Sequence, residues 1–127
     1  MLITPIYAAV LALIFVGLAV RTLMLRRKLQ VGIGTGKQPL LARAMRAHAN
    51  FAEYVPIALL LIYFLELQID SRAWIHVLCA ALLAGRVIHA FGISQQPEDL
   101  RFRVTGMALT FFAVIAAAVH LLAGAIL

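Results

Sequence analysis

A chain of 127 residues that is 65% hydrophobic, only 13% charged and has a mean hydropathy of +1.02 is too apolar to be a soluble domain of that size. Eleven Lys and Arg against five Asp and Glu give a net charge of +6, which in a soluble protein would point to nucleic acid; here membrane topology accounts for it and no nucleic-acid partner is expected. The single cysteine, Cys79, excludes an intrachain disulfide and reads as a buried, inert thiol.

A helix that crosses a bilayer needs about 20 mostly apolar residues, and the hydropathy predicts four, at roughly 4–25, 41–67, 72–92 and 102–126. The expected class is therefore an all-α integral membrane protein, a four-transmembrane-helix bundle forming one domain over residues 1–127. Thr4-Pro5 reads as the start of the first helix, with Thr4 as cap and Pro5 at the first helical position. No basic residue precedes this span, and Arg21, Arg26, Arg27 and Lys28 follow its apolar part. That order is the reverse of a cleavable signal peptide, so the segment is expected to stay as a helix. The stretch Val31 to Gln38 reads as a flexible loop. Its Gly36-Lys37 pair is not a phosphate loop, because Val31 and Gln38 stand where Gly and Ser or Thr would be needed and no strand precedes it.

Pro39 restarts the chain as the second helix. At 100° per residue Arg43, Arg46, Asn50 and Glu53 fall within about 80° of one another, forming one polar stripe, while His48 points away from it. Pro56 cannot donate to the Ala52 carbonyl, which predicts a bend beside Glu53. Glu66, Asp70 and Ser71 mark a short turn with Ser71 as cap of the third helix, and Arg72 and Trp74 suit a membrane boundary. On the third helix Arg86 and His89 share a face with Cys79 and Ile93. After a loop, Ser94 to Asp99, the fourth helix has only Thr105, Thr110 and His120 as notable polar side chains beyond its opening arginines; His120 is read as an interfacial residue. No metal centre is expected.

With the N-terminus outside, every basic residue except Arg72 falls on or toward the cytoplasmic side, which satisfies the positive-inside rule and places both termini on the opposite side. Orientation alone leaves the intramembrane charges unexplained. Ionisable groups in hydrocarbon are costly and usually face a bundle interior, pair, or line a ligand path. Glu53 could pair with Arg46 or Arg86 as interhelical glue, but Arg26, Arg27, Arg43, Arg46, Arg86, Arg101 and Arg103 converge near only Glu53, Glu98 and Asp99. That surplus calls for an anion. Arginine grips carboxylates through paired charge-assisted bonds, so a small polyanionic ligand fits, with Glu53 free for an ammonium group. Arg27 and Lys28 serve equally well against anionic lipid headgroups.

Arg46-Ala47-His48, Asn50, Glu53-Tyr54 and Pro56, followed by an apolar helix, resemble the second-helix signature of the MAPEG family, the membrane-associated proteins in eicosanoid and glutathione metabolism. The Arg26-Arg27 pair, Gly85-Arg86-Val87-Ile88-His89 and Arg101 with Arg103 extend the similarity over all four helices. The resemblance implies a homotrimer that binds glutathione, as co-substrate, between neighbouring subunits near the cytoplasmic face. It implies Arg46, Asn50, Glu53 and Tyr54 as glutathione contacts together with Arg26 and His89, with His48 contributing from a neighbouring subunit and Arg86 partly structural.

Arg103, or else Arg27, is the implied stabiliser of the reactive thiolate. The second substrate would be a lipophilic small molecule arriving from the bilayer, which makes the implied activity a glutathione transferase or peroxidase acting on lipophilic electrophiles or lipid hydroperoxides. Ile93 stands where some members have a tyrosine, a lost hydroxyl donor that weakens an eicosanoid-synthase reading, and Ala49 replaces an arginine found in some members while others are apolar there. The same fold also serves non-catalytic lipid-binding or scaffold proteins. A small multidrug exporter is disfavoured, because arginines around Glu53 would keep it ionised and repel cationic drugs.

Overall fold

Residues 1–126 are described by a computed structural model. Four helices follow one another: α1 (Thr4–Leu29), α2 (Pro39–Glu66), α3 (Arg72–Ile93) and α4 (Leu100–Ile126). With mean hydropathies of 2.4, 1.4, 1.6 and 2.3 over their most apolar windows, all four are long and apolar enough to cross a membrane. At a rise of about 1.5 Å per residue even α3 exceeds a hydrocarbon core of about 30 Å. The protein is an integral, multi-pass membrane protein. Short connections make consecutive helices antiparallel neighbours, with the α1–α2 and α3–α4 loops at one basic end of the bundle and the α2–α3 turn at the other.

Helix ends differ from the hydropathy boundaries for identifiable reasons. α1 runs past its apolar part through Arg26, Arg27 and Lys28 and stops where Gln30 turns left-handed (φ 56°), with the Val31 N–H closing onto the Arg26 carbonyl at 3.0 Å. Its other end is not capped by Thr4. Ile3 occupies the cap position, and the Glu66 carboxylate, from the far end of α2, accepts hydrogen bonds from the backbone N–H groups of Ile3 and Thr4. Ser71 does hold the cap position of α3, but its side chain makes no cap bond. α2 continues through Pro56 as one helix to Glu66. The α1–α2 loop is folded around Arg26, whose Nη1 donates to the carbonyls of Val31, Gly32 and Gly34 at 3.3, 3.4 and 2.9 Å.

The tightest packing is between α3 and α4, and glycine permits it. A Cβ placed on Gly106 would lie 2.6 Å from the Gly85 carbonyl oxygen and 2.7 Å from the His89 Cβ. Leu11, Phe51, Ala58, Ile62, Leu65, Leu78, Leu82 and Ala113 fill the space among the four helices toward the α2–α3 end. α2 and α3 are the central elements, each touching the other three helices, whereas α1 and α4 make no direct contact among the described residues. Each therefore leaves a broad apolar flank, with Leu13 and Leu23 on α1 and Val104 and Ile115 on α4 exposed.

Candidate functional site

The polar stripe of α2 straddles the boundary between bundle interior and surface. Asn50 turns inward and is 8% exposed; Arg46 and Glu53 lie outward with side chains 58% and 50% exposed and form a loose ion pair at 3.4 Å. A pair so open to its surroundings is weak and easily exchanged for a ligand's charges. Arg43 leaves the stripe altogether. Its Nη1 donates to Glu98 Oε2 at 2.9 Å and to the Ile93 carbonyl at 3.1 Å, tying α2 to the end of α3.

Inward of this stripe, Arg86 is 1% exposed, and no carboxylate lies within ion-pair distance of it among the described residues. Its Nη1 donates to Asn50 Oδ1 at 2.6 Å, its Nε to Thr110 Oγ1 at 2.9 Å, and its Nη2 meets Met107 Sδ at 3.3 Å. The Tyr54 ring lies beneath it, 5.6 Å from centroid to guanidinium carbon. Thr110 can accept because its own hydroxyl proton goes to the Gly106 carbonyl at 2.8 Å. A central arginine costs roughly 2.5–3.5 kcal/mol to insert in a membrane helix, and two hydrogen bonds from a charged donor return roughly 1.5–3 kcal/mol each. The two effects are of one size, so Arg86 is tolerated although its charge is not neutralised.

Beside this group a cleft of about 560 Å³ opens on the α4 side, with Asn50, His89 and Arg103 as its polar lining and Val104, Met107, Ala108 and Phe111 as its apolar wall. Arg103 also lines a second cleft, of about 350 Å³, with Arg43, Arg46 and Glu98 at the basic end. It is fixed there by a 3.0 Å bond from its Nη1 to Glu98 Oε1. Glu98 thus accepts from two arginines at once, and those bonds, Arg43's first and Arg103's second, hold its carboxyl below the usual carboxylate range.

The structure brings Asn50, His89 and Arg103 together, with Arg46 in the adjoining cleft beside Arg103 and Tyr54 against Arg86. Arg26 and His48 are not part of that assembly within one chain. They line a separate cleft of about 500 Å³ between α1 and α2, where His48 leans on the Phe15 ring at 4.7 Å and its Nε2 is buried with no hydrogen-bond partner. Arg27 is exposed at the end of α1. Three residues that complete the site were not among the sequence candidates: Thr110 and Met107, which hold Arg86, and Glu98, which holds Arg103. Glu98 carried a signal as one of the few acids near the arginine surplus, and Thr110 as one of the few polar side chains on the fourth helix; Met107 carried none.

The chain matches the MAPEG family over residues 4–123. It is also similar to the inner membrane protein YecN of two Escherichia coli strains, with 32% identity over 114 residues, covering 90% of this chain and 86% of the relative. No solved structure matches.

Proposed function

The chain belongs to the MAPEG family, and from that premise we propose that it is a glutathione-dependent membrane transferase or peroxidase acting on lipophilic electrophiles or lipid hydroperoxides. The observation that carries this reading is the cleft in which Asn50, His89 and Arg103 adjoin a wall of Val104, Met107, Ala108 and Phe111. A hydrophilic anion and an apolar partner can meet there without either leaving its preferred surroundings, and such proximity supplies much of the rate gain.

Arg46 and Glu53 are matched to the carboxylate and ammonium of an α-amino acid end, which would replace their loose 3.4 Å contact with two ligand ion pairs. The guanidinium of Arg103 favours the thiolate over the thiol. In transfer, the sulfur forms a bond to an electrophilic carbon and a halide leaves with its electron pair. In peroxide reduction, the sulfur takes the distal oxygen, the alkoxide leaves and gains a proton, and a second glutathione completes the reduction as a disulfide and water form.

Arg26 and His48 enter this reading through a neighbouring copy. Their cleft lies on a different face from Asn50 and Arg103, so in this reading they reach the ligand only at a site shared between copies. A homotrimer with glutathione between subunits is proposed accordingly.

Purified protein should conjugate glutathione to a chlorinated nitroaromatic, and Arg46→Ala or Glu53→Ala should raise the glutathione KM by about tenfold. Absence of both conjugation and peroxide reduction, together with no thermal stabilisation by glutathione, would falsify the enzyme reading. A second reading, a non-catalytic lipid-binding protein, is favoured by one observation: an apolar groove of about 320 Å³ between α1 and α2, lined by Leu11, Phe15, Phe51, Val55, Pro56 and Leu59 among others, suits an acyl chain. Retained copurified lipid without turnover would support it.

A further inference from the structure

We propose that Arg86 is a positioning and specificity-determining residue: by holding Asn50 Oδ1 it turns the Asn50 carboxamide so that its NH2 faces the cleft, and the site accordingly selects a hydrogen-bond acceptor at that point, a carboxylate or carbonyl oxygen of the ligand. Donor chemistry fixes which Asn50 atom faces Arg86. A guanidinium has N–H groups and no acceptor, so the Asn50 atom 2.6 Å from Arg86 Nη1 can only be the carbonyl oxygen. The amide nitrogen then occupies the other branch of the planar group. Asn50 lines the cleft that also holds Arg103, so the NH2 is its means of meeting a ligand there.

Arg86 is itself fixed from other sides by Thr110 Oγ1 at 2.9 Å, Met107 Sδ at 3.3 Å and the Tyr54 ring, which keeps the orientation of Asn50 from being negotiable. The positive charge of Arg86 also remains unneutralised beside the cleft, and it disfavours a cationic group at Asn50 for the same reason. With Arg103 donating alongside, the Asn50 end of the cleft is donor-rich and cationic, while the carboxylate of Glu53 lies one turn further along α2. For a zwitterionic ligand this sets direction: its acceptor portion goes to Asn50 and its ammonium to Glu53. The identity of the ligand as glutathione rests on the function proposed above; the orientation of Asn50 does not.

The discriminating variant is Asn50→Asp. An aspartate there keeps the oxygen facing Arg86, adds the counter-ion that the buried arginine lacks, and replaces the NH2 in the cleft by a second carboxylate oxygen. The expected result is a melting temperature in detergent at or above that of the wild type, with a glutathione KM raised by about tenfold or more. Arg86→Lys supplies the rescue arm, because an ammonium also only donates and keeps Asn50 turned the same way. It should stay within about threefold of the wild-type KM, whereas Arg86→Gln, whose amide can donate or accept, should raise KM with kcat less affected.

An Asn50→Asp protein that binds glutathione as tightly as the wild type overturns the proposal. A fall in its melting temperature also counts against the arrangement, because the counter-ion supplied to Arg86 is expected to outweigh the cost of desolvating the new carboxylate. A wild type that binds no glutathione sinks the proposed function alone. In that case the melting temperatures of Asn50→Asp and wild type still decide the orientation, a rise supporting it and a fall overturning it.

Discussion

At the scale of single residues, the site is organised by two groups that sequence spacing cannot pair. Glu98 stands in the α3–α4 loop and receives one bond from α2, through Arg43, and one from α4, through Arg103. Because these bonds depress its folded-state pKa, the clamp stabilises the protein fully above the unfolded carboxylate pKa and is lost as pH falls through the lower, folded value. Melting curves of wild type and Glu98→Gln should therefore differ by a constant amount above about pH 5 and converge on acidification. A gap that persists unchanged into strong acid would mean that the carboxylate charge plays no part. The helical period did place Arg46, Asn50 and Glu53 on one arc of α2, but an arc about 80° wide can span the rim of a bundle. Which end of it turns inward is decided by Arg86 on α3, itself held by Thr110 and Met107 on α4, and no periodicity within α2 reports that.

At the scale of elements, hydropathy located all four helices and several of their ends, Thr4, Arg72 and Ile126 among them, but missed others because it measures the apolar stretch and not the hydrogen-bonded one. Arg26, Arg27 and Lys28 remain helical although they are charged, and Pro39 opens α2 two residues before the apolar pattern begins. The close approach of α3 and α4 was likewise hidden: Gly85 and Gly106 are unremarkable in sequence until their backbones meet. Gly106→Ala would drive a methyl group against the Gly85 carbonyl and His89, and the two helices would have to separate. A loss of about 1–3 kcal/mol is expected from the overpacking, read as a lower melting temperature in detergent. Gly17→Ala on α1, where a Cβ meets nothing within 4 Å, is the matched control and should cause no loss. Equal melting temperatures for the two variants would show that α3 and α4 do not depend on that contact. His89 sits at the same crossing and lines the cleft, so Gly106→Ala should also disturb ligand binding through the His89 backbone.

At the scale of the whole molecule, one chain presents two separate clefts, which the proposed function makes the two halves of a site shared between copies. The cleft with Asn50, His89 and Arg103 opens beside α4, the cleft with Arg26 and His48 opens between α1 and α2, and α1 does not touch α4. Two different faces that need each other make a heterologous contact, and such a contact closes into a ring when copies repeat it around an axis. For the homotrimer proposed above, native mass spectrometry in detergent should find three copies. Complementation carries the argument further. Glu53→Ala disables one half-site and His48→Ala the other, so each variant alone should bind glutathione poorly. Expressed together in equal amounts and mixed at random, they place an intact face of one against an intact face of the other at about a quarter of the contacts. Activity should recover toward that fraction of the wild-type value, with differently tagged copies purified together to show that mixed oligomers formed. Mixed oligomers with no recovery would mean that each chain holds a complete site and that the cleft with Arg26 and His48 is no part of it.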